Sequence, residues 1–205
     1  MTTAYELQTI DVKNESSRVD GPLSSDMEEI RLSLDGDGAA YERLVGRYEK
    51  VISARMWRFT RDTFKHRELV QDVFVEAYLS LKTFRGKAPF EHWLSRIATT
   101  VGYRHWRTKI KERSNRTVPI EEWDQATWEE PESMEPEKAA EILHSLLERL
   151  PPRDRLVLML RHVENRSIEE TAELTGWSRT MVKVQAWRAR NKLKKLFEAA
   201  GLEVD

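Results

Sequence analysis

A basic stretch near the end of the chain carries side chains whose chemistry suits DNA recognition. Seven lysines and arginines occur in it with no acidic residue among them: Arg179, Lys183, Arg188, Arg190, Lys192, Lys194 and Lys195. An α-helix fits the DNA major groove, where its first residues reach base edges and its basic flanks meet phosphates. Arg179, Thr180 and Lys183 are therefore candidates for base contacts. Arg188 and Arg190 are candidates for phosphate contacts.

The residues before this stretch have the spacing of a helix-turn-helix. Ser167 and Glu170 stand three positions apart, as in a capping box that starts a helix. Ala172 is small where a second helix must cross closely. Gly176 can adopt the positive φ of a tight turn, and Ser178 is suited to cap the next helix. The alternative is a charged helix on an ordinary bundle, but caps, turn and charge together favour DNA binding.

Apolar residues at helical spacing predict the other elements. The predicted helices span 39–59, 66–83, 90–111, 139–150 and 153–163. The first follows a turn over residues 35–38, with Asp37 as its cap, and Pro151 ends the fourth. No stretch shows the sustained alternation of a strand. The chain is therefore predicted to be all-α.

An acidic segment divides the predicted helices into two groups. From Thr117 to Glu137 there are eight acidic residues, three prolines and no lysine or arginine. Such a composition cannot pack a core, so we expect a flexible linker between two small helical domains. Trp123 and Trp128 are unusual for a passive spacer. The predicted divisions are a disordered extension at 1–25, a first domain at 26–113, the linker at 114–138 and a second domain at 139–200.

Composition excludes several classes of function. The net charge is −1, but the charges are unevenly distributed. Acidic residues dominate the segment before Gly38, whereas basic residues dominate the end of the helix predicted at 90–111 and the stretch from Arg179 to Lys195. The chain has no cysteine, and its five histidines show no metal-ligand spacing. We therefore expect no metal, no cofactor and no enzyme activity. The longest apolar run, at 156–160, is too short to span a bilayer, and the first residues do not form a signal peptide. A cytoplasmic protein without membrane insertion is expected.

Two sets of motifs, in order, resemble bacterial sigma factors of the sigma-70 family, specifically the compact extracytoplasmic-function (ECF) type. Residues 150–161 and 167–193 resemble sigma region 4. The segments at 68–74, 84–86 and 90–98 resemble sigma region 2. The resemblance covers about 38–200 and is interrupted only by the linker. It implies a factor that binds core RNA polymerase and directs promoter-specific transcription initiation.

The resemblance implies three sets of contact residues. Docking on the clamp helices of the polymerase largest subunit is assigned to Glu68, Gln71, Asp72 and Phe74. Melting and reading of the −10 element is assigned to Arg96, Thr100, Tyr103, Arg104, Trp106, Arg107 and Lys109. Contacts to the −35 element are assigned to Arg179, Thr180, Lys183, Val184, Trp187, Arg188 and Arg190. The alternative interpretation is that the polar members of the first set simply form the solvent-exposed face of an amphipathic helix. Phe74 suits the core under either interpretation. Trp93 is expected to be structural, which leaves Trp106 as the better residue for base stacking.

The sequence also departs from the family pattern. Thr100 and Arg104 stand where Asn and Asp are common, and positions 181 and 184–186 of the recognition helix differ as well. We therefore expect an unusual promoter sequence. Promoter DNA and core polymerase are the expected partners, and the family adds a possible anti-sigma factor. The linker is either an RNA mimic in polymerase channels or a solubilising spacer. The rival function is a free-standing DNA-binding regulator, which leaves residues 39–113 unexplained.

Overall fold

A computed structural model describes residues 22–115 and 136–201 of the chain. Every regular element in these ranges is helical. The N-terminal domain consists of α1 (Pro22–Leu34), α2 (Gly38–Met56), α3 (Thr63–Ser80), a 3₁₀ turn (Leu81–Thr83) and α4 (Phe90–Asn115). The C-terminal domain consists of α5 (Pro136–Glu148), α6 (Pro152–Leu158), a π-helical turn (Met159–Val163), α7 (Ile168–Thr175) and α8 (Arg179–Ala199). The predicted all-α fold with two helical units is confirmed.

Local capping chemistry sets where the helices of the N-terminal domain begin. Asp37 caps α2 by accepting from the backbone N–H groups of Ala39 and Ala40, as predicted. Asp62 caps α3 in the same way. Apolar residues at helical spacing then face a common core, which includes Leu44, Ile52, Val73, Ala77, Leu94 and Val101. The apolar stripes pack α2, α3 and α4 against one another around this core.

The helix-turn-helix of the C-terminal domain follows the predicted pattern. Ser167 and Glu170 form the full capping box of α7. Gly176 has φ of 72° at the turn, a conformation that a side chain would strain. Ser178 then caps α8 by accepting from the Met181 N–H. Thr171 is fully buried at the packing face of α7, and Ala172 packs against the same small core.

Some predicted boundaries differ from those observed. Helix α1 begins at Pro22, so residues 22–25 are helical although they were assigned to the disordered extension. Helix α4 continues to Asn115 and α5 begins at Pro136. Residues 114–115 and 136–138 are therefore helical, although the prediction placed them in the linker. Ile30 and Ser33 of α1 are three positions apart and both buried, so one face of this helix packs into the domain. The rest of the extension and of the linker, with Trp123 and Trp128, lies outside the described residues.

The two domains pack against each other and share one apolar core. Leu156, Met159 and Leu160 of the C-terminal domain are buried together with the core residues of α2, α3 and α4. Trp177 contacts both this shared core and the smaller core of its own domain. Helix α4 therefore lies between the rest of its own domain and the helices α6 and α7.

Within residues 22–115 and 136–201, no helix has both the length and the apolar character needed to cross a bilayer.

Candidate nucleic-acid interface

Helix α8 presents the predicted −35 contacts on an open face. All seven predicted residues are exposed: Arg179, Thr180, Lys183, Val184, Trp187, Arg188 and Arg190. Val182 and Ala189 lie on the opposite side of the helix and are fully buried. Trp187 is 66% exposed, which is unusual for a large aromatic side chain unless a partner covers it. The helix can therefore enter a groove with its basic face while its apolar face stays in the domain.

A buried carboxylate holds this helix in place. Asp154, on α6, is 1% exposed and accepts a hydrogen bond from the Gln185 side chain. Its second oxygen lies 2.7 Å from the Lys192 ammonium. Both partners are on α8, so one side chain fixes the orientation of the helix over about two turns. This role of Asp154 was not predicted, because nothing in the local sequence indicates that Asp154 and Lys192 meet.

Replacing Asp154 with alanine is expected to lower the free energy of unfolding by about 2 kcal/mol, because the Gln185 and Lys192 groups lose their buried partner. Urea denaturation would measure the loss. Glu141→Ala is the matched control, since Glu141 is exposed on α5. Equal unfolding midpoints for both variants would contradict the role given to Asp154.

The predicted −10 set on α4 divides into two groups. Thr100, Arg104 and Arg107 are exposed, and Arg104 pairs with Glu76 of α3. The other four residues lie beside or contact the C-terminal domain, although Arg96 among them is still exposed. Of these, Arg96 lies beside the turn at Gly176. The structure thus brings the set onto one helix but leaves only part of it open.

Trp106 occupies a place different from that expected of a base-stacking residue. It is 3% exposed, and its indole N–H donates to the Phe59 carbonyl at 2.7 Å. The Arg155 guanidinium of the C-terminal domain lies over the ring, 4.1 Å from its centroid. Burial lowers the pKa of Arg155 to about 10, so the guanidinium stays charged at neutral pH. Trp93, expected to be structural, is half-buried among Phe84 and Phe90.

An apolar groove between α2 and α3 was not predicted. Its volume is about 870 Å³, and side chains from both helices line it. Three exposed residues of α3 line its rim: Val75, Tyr78 and Leu79, which are 48%, 52% and 69% exposed. Phe64, at the start of the helix, is 72% exposed. The sequence signal for this groove was a second set of apolar residues on α3, Val75, Tyr78 and Leu79, outside the stripe that faces the core. A search for a single core-facing stripe does not detect such an exposed apolar surface.

The predicted polymerase-docking residues lie along α3 beside this groove. Gln71 lines the groove and is exposed, whereas Asp72 is exposed without lining it. Glu68 is half-buried and pairs with Lys65 at 2.5 Å. Phe74 is 9% exposed, as expected of a core residue, and its carbonyl accepts from the Tyr41 hydroxyl.

Three histidines make the stability of the fold sensitive to acid. The pKa values of His105, His144 and His162 are lowered, first by burial and then by nearby lysines or arginines. The unfolded chain binds these protons more readily than the folded one. The contribution of the three histidines to the free energy of unfolding is therefore constant above the ordinary histidine pKa of 6.5 and falls as the pH decreases below it. We expect urea unfolding at about pH 5.5 to need less denaturant than at about pH 7.5. Replacing all three with glutamine should reduce that difference, and an unchanged difference would contradict this assignment.

Among the described residues, no cluster of histidine, aspartate or glutamate could hold a metal ion.

Comparison with known proteins matches the two domains to two parts of one family. Residues 44–111 match the family model described as Sigma-70 region 2. Residues 140–193 match the model described as Sigma-70, region 4. The first range contains α3 and the candidate −10 residues, and the second contains the helix-turn-helix.

Similar proteins and structures carry the same family name. The chain is 32% identical over 155 residues to RNA polymerase sigma factor YlaC of Bacillus subtilis, a match that covers 75% of this chain and 90% of that protein. It is 27% identical over 168 residues to the ECF RNA polymerase sigma-E factor of Haemophilus influenzae, which covers 78% and 88%. The fold is also similar to the sigma factor RpoE of Bartonella quintana, solved with the anti-sigma factor NepR, with a TM-score of 0.53 and 19% identity over 77% of this chain and 96% of that one. The chain belongs to the sigma-70 family of RNA polymerase sigma factors, among its ECF members.

Proposed function

We propose that this sigma factor docks on core RNA polymerase through the apolar groove of its N-terminal domain and reads the −35 element with helix α8. Helix α4 then captures the opened −10 strand. The role is binding rather than catalysis, and it is exercised in the cytoplasm, where the polymerase works. The apolar groove is the docking site for the clamp helices of the polymerase largest subunit.

One observation carries this proposal: a basic recognition face and a separate apolar groove are both exposed in the same chain. The seven candidate −35 residues on α8 offer phosphate and base contacts. The groove offers a helix-sized apolar surface rimmed by Gln71 and Glu49. A free-standing regulator needs only the first surface and gives the second no purpose. The sigma-factor function accounts for both.

Co-purification with core RNA polymerase, followed by run-off transcription on a promoter library, tests the proposal. We expect a stable complex and a set of transcripts that start only when this chain is present. The promoters recovered would also show which −35 and −10 sequences it reads. Binding to duplex DNA without binding to core polymerase would instead establish the free-standing regulator.

Substitutions on α8 should separate base contacts from phosphate contacts. Arg188→Ala is expected to weaken binding to every promoter similarly and to reduce the salt dependence by about one phosphate contact. Lys183→Ala is expected to change sequence preference, with a cost of roughly 1–3 kcal/mol at the affected base pair. Binding to a set of −35 variants would measure both effects. Identical profiles for the two variants would contradict the division of roles.

An anti-sigma factor is proposed as a second partner of the same groove. The exposed Tyr78 and Leu79 side chains on its rim suit a helix with apolar side chains. Since one surface cannot hold two helices, the anti-sigma factor would compete with core polymerase. A competition assay with the isolated cytosolic part of such a factor would test this, and simultaneous binding of both would exclude a shared site.

A further inference from the structure

The middle of the exposed face of α8 carries two apolar side chains. Val184 and Trp187, which are 43% and 66% exposed, lie three positions apart, so they are neighbours on the helix surface. At about 3.6 residues per turn, each lies roughly 140–160° around the helix from the buried Val182 and Ala189. The two exposed residues, which we call the apolar strip, therefore point away from the domain.

The apolar strip does not contribute to the core of its own domain. Ala186 and Leu193 of the same helix pack against that core, whereas neither member of the strip does so among the described residues. Large apolar side chains that lie together in water indicate a surface that a partner covers. The strip is therefore better explained by binding than by folding.

Positive charges on both sides of the strip indicate the kind of partner. Around the helix the order is Lys183, Trp187, Val184 and Arg188, at steps of roughly 40–60°. Both flanking cations are exposed. The DNA major groove has the complementary arrangement, since a phosphate backbone borders it on each side and base edges form its floor. An apolar protein surface, in contrast, would leave both cations without counterions. Charge complementarity therefore places the strip against base edges.

Only one group on the base edges suits an apolar contact. The base pairs display hydrogen-bond donors and acceptors in the major groove, and thymine alone adds a methyl group. Val184 offers no hydrogen-bonding side-chain group, and the Trp187 indole offers only a donor. Donors and acceptors pressed against the strip would lose water without a replacement partner, which costs free energy. A thymine methyl group instead gains free energy by leaving water.

We propose that Val184 and Trp187 read thymine methyl groups, so that the −35 element of this chain contains thymine where the apolar strip lies. This inference rests on the proposed reading of the −35 element by α8. It adds the chemical group that is read at these positions, which is a methyl group rather than a hydrogen-bonding edge. The flanking cations hold the helix between the phosphate backbones, and the strip selects the base.

Single replacements of thymidine by deoxyuridine test the proposal. Deoxyuridine pairs with adenine in the same way but lacks the methyl group. The complex of the full chain with core polymerase is titrated with promoter duplexes recovered by transcription, altered at one −35 thymine at a time. We expect at least one replacement to weaken binding about fourfold, the value of one buried methyl-sized group. At that position, 5-methylcytosine should bind more tightly than cytosine by about the same factor.

Variants of the strip connect this effect to its two residues. Val184→Ala and Trp187→Ala should bind the thymidine and deoxyuridine duplexes with nearly equal affinity, because the contact to the methyl group is already lost. Val163→Ala is the matched control, since Val163 is another valine that is 50% exposed but lies outside α8. The control should keep the full difference between the two duplexes.

The outcomes separate this inference from the proposed function. Equal binding of every deoxyuridine duplex by the unaltered chain would overturn the reading of methyl groups, and so would a difference that persists in both strip variants. If the complex still initiates transcription from these promoters, the sigma-factor function stands. A library that yields no transcript would refute that function and the reading of methyl groups with it.

Discussion

Replacing Gly102 with alanine is expected to destabilise the protein by roughly 2–3 kcal/mol, because a methyl group there would overlap the Phe59 ring. A Cβ at this position would lie 2.4 Å from two carbons of that ring, well inside contact distance. Phe59 is 2% exposed and cannot move aside easily. Its ring packs on Trp106, with centroids 4.6 Å apart, and its carbonyl accepts the Trp106 N–H. The clash therefore falls on the helix that carries the candidate −10 residues.

Thermal unfolding would measure the effect, with an expected drop in melting temperature of about 10 °C for a loss of this size. Gly46→Ala is a matched control of opposite sign. Gly46 lies within α2, and a Cβ there would meet nothing within 4 Å. Alanine is the better helix former, so this variant should gain roughly 0.5–1 kcal/mol. Equal melting temperatures for the two variants would show that the Phe59 ring moves aside without a loss of folding free energy.

Replacing Leu79 with aspartate is expected to weaken binding to core RNA polymerase at least roughly thirtyfold, or about 2 kcal/mol. Leu79 is 69% exposed at the rim of the apolar groove, so the folded domain itself should tolerate the change. In the complex, the new carboxylate would be removed from water against an apolar partner surface. That burial of a charge without a counterion is the source of the loss.

A fluorescence titration of labelled chain with core polymerase would measure this change. Met27→Asp is the control, because Met27 is 45% exposed on α1 and does not line the groove. Binding of duplex −35 DNA by the free chain should be the same for both variants, since α8 is untouched. Unaltered polymerase affinity for Leu79→Asp would show that core docks elsewhere on the N-terminal domain.

The sequence alone determined the features that depend on local chemistry. Caps at Asp37, Ser167 and Ser178 fix where helices begin, because each side chain bonds to backbone groups within three positions. The turn at Gly176 follows from the conformational freedom of glycine. Apolar spacing of three and four residues gave the helices, and the basic face of α8 followed from the same periodicity. The two-domain order and the family were readable for this reason.

Contacts between distant parts of the chain needed the tertiary structure. The pairing of Asp154 with Lys192, and of Glu164 with Arg55, joins residues 38 and 109 positions apart. Nothing in the spacing of such residues reports their meeting, because it depends on how whole helices pack. The same holds for Trp106, whose type suits base stacking but whose place is buried beneath Arg155. The candidate DNA-contacting residues follow from the sequence. Which of these candidates on α4 are exposed was decided only by the packing of the two domains against that helix.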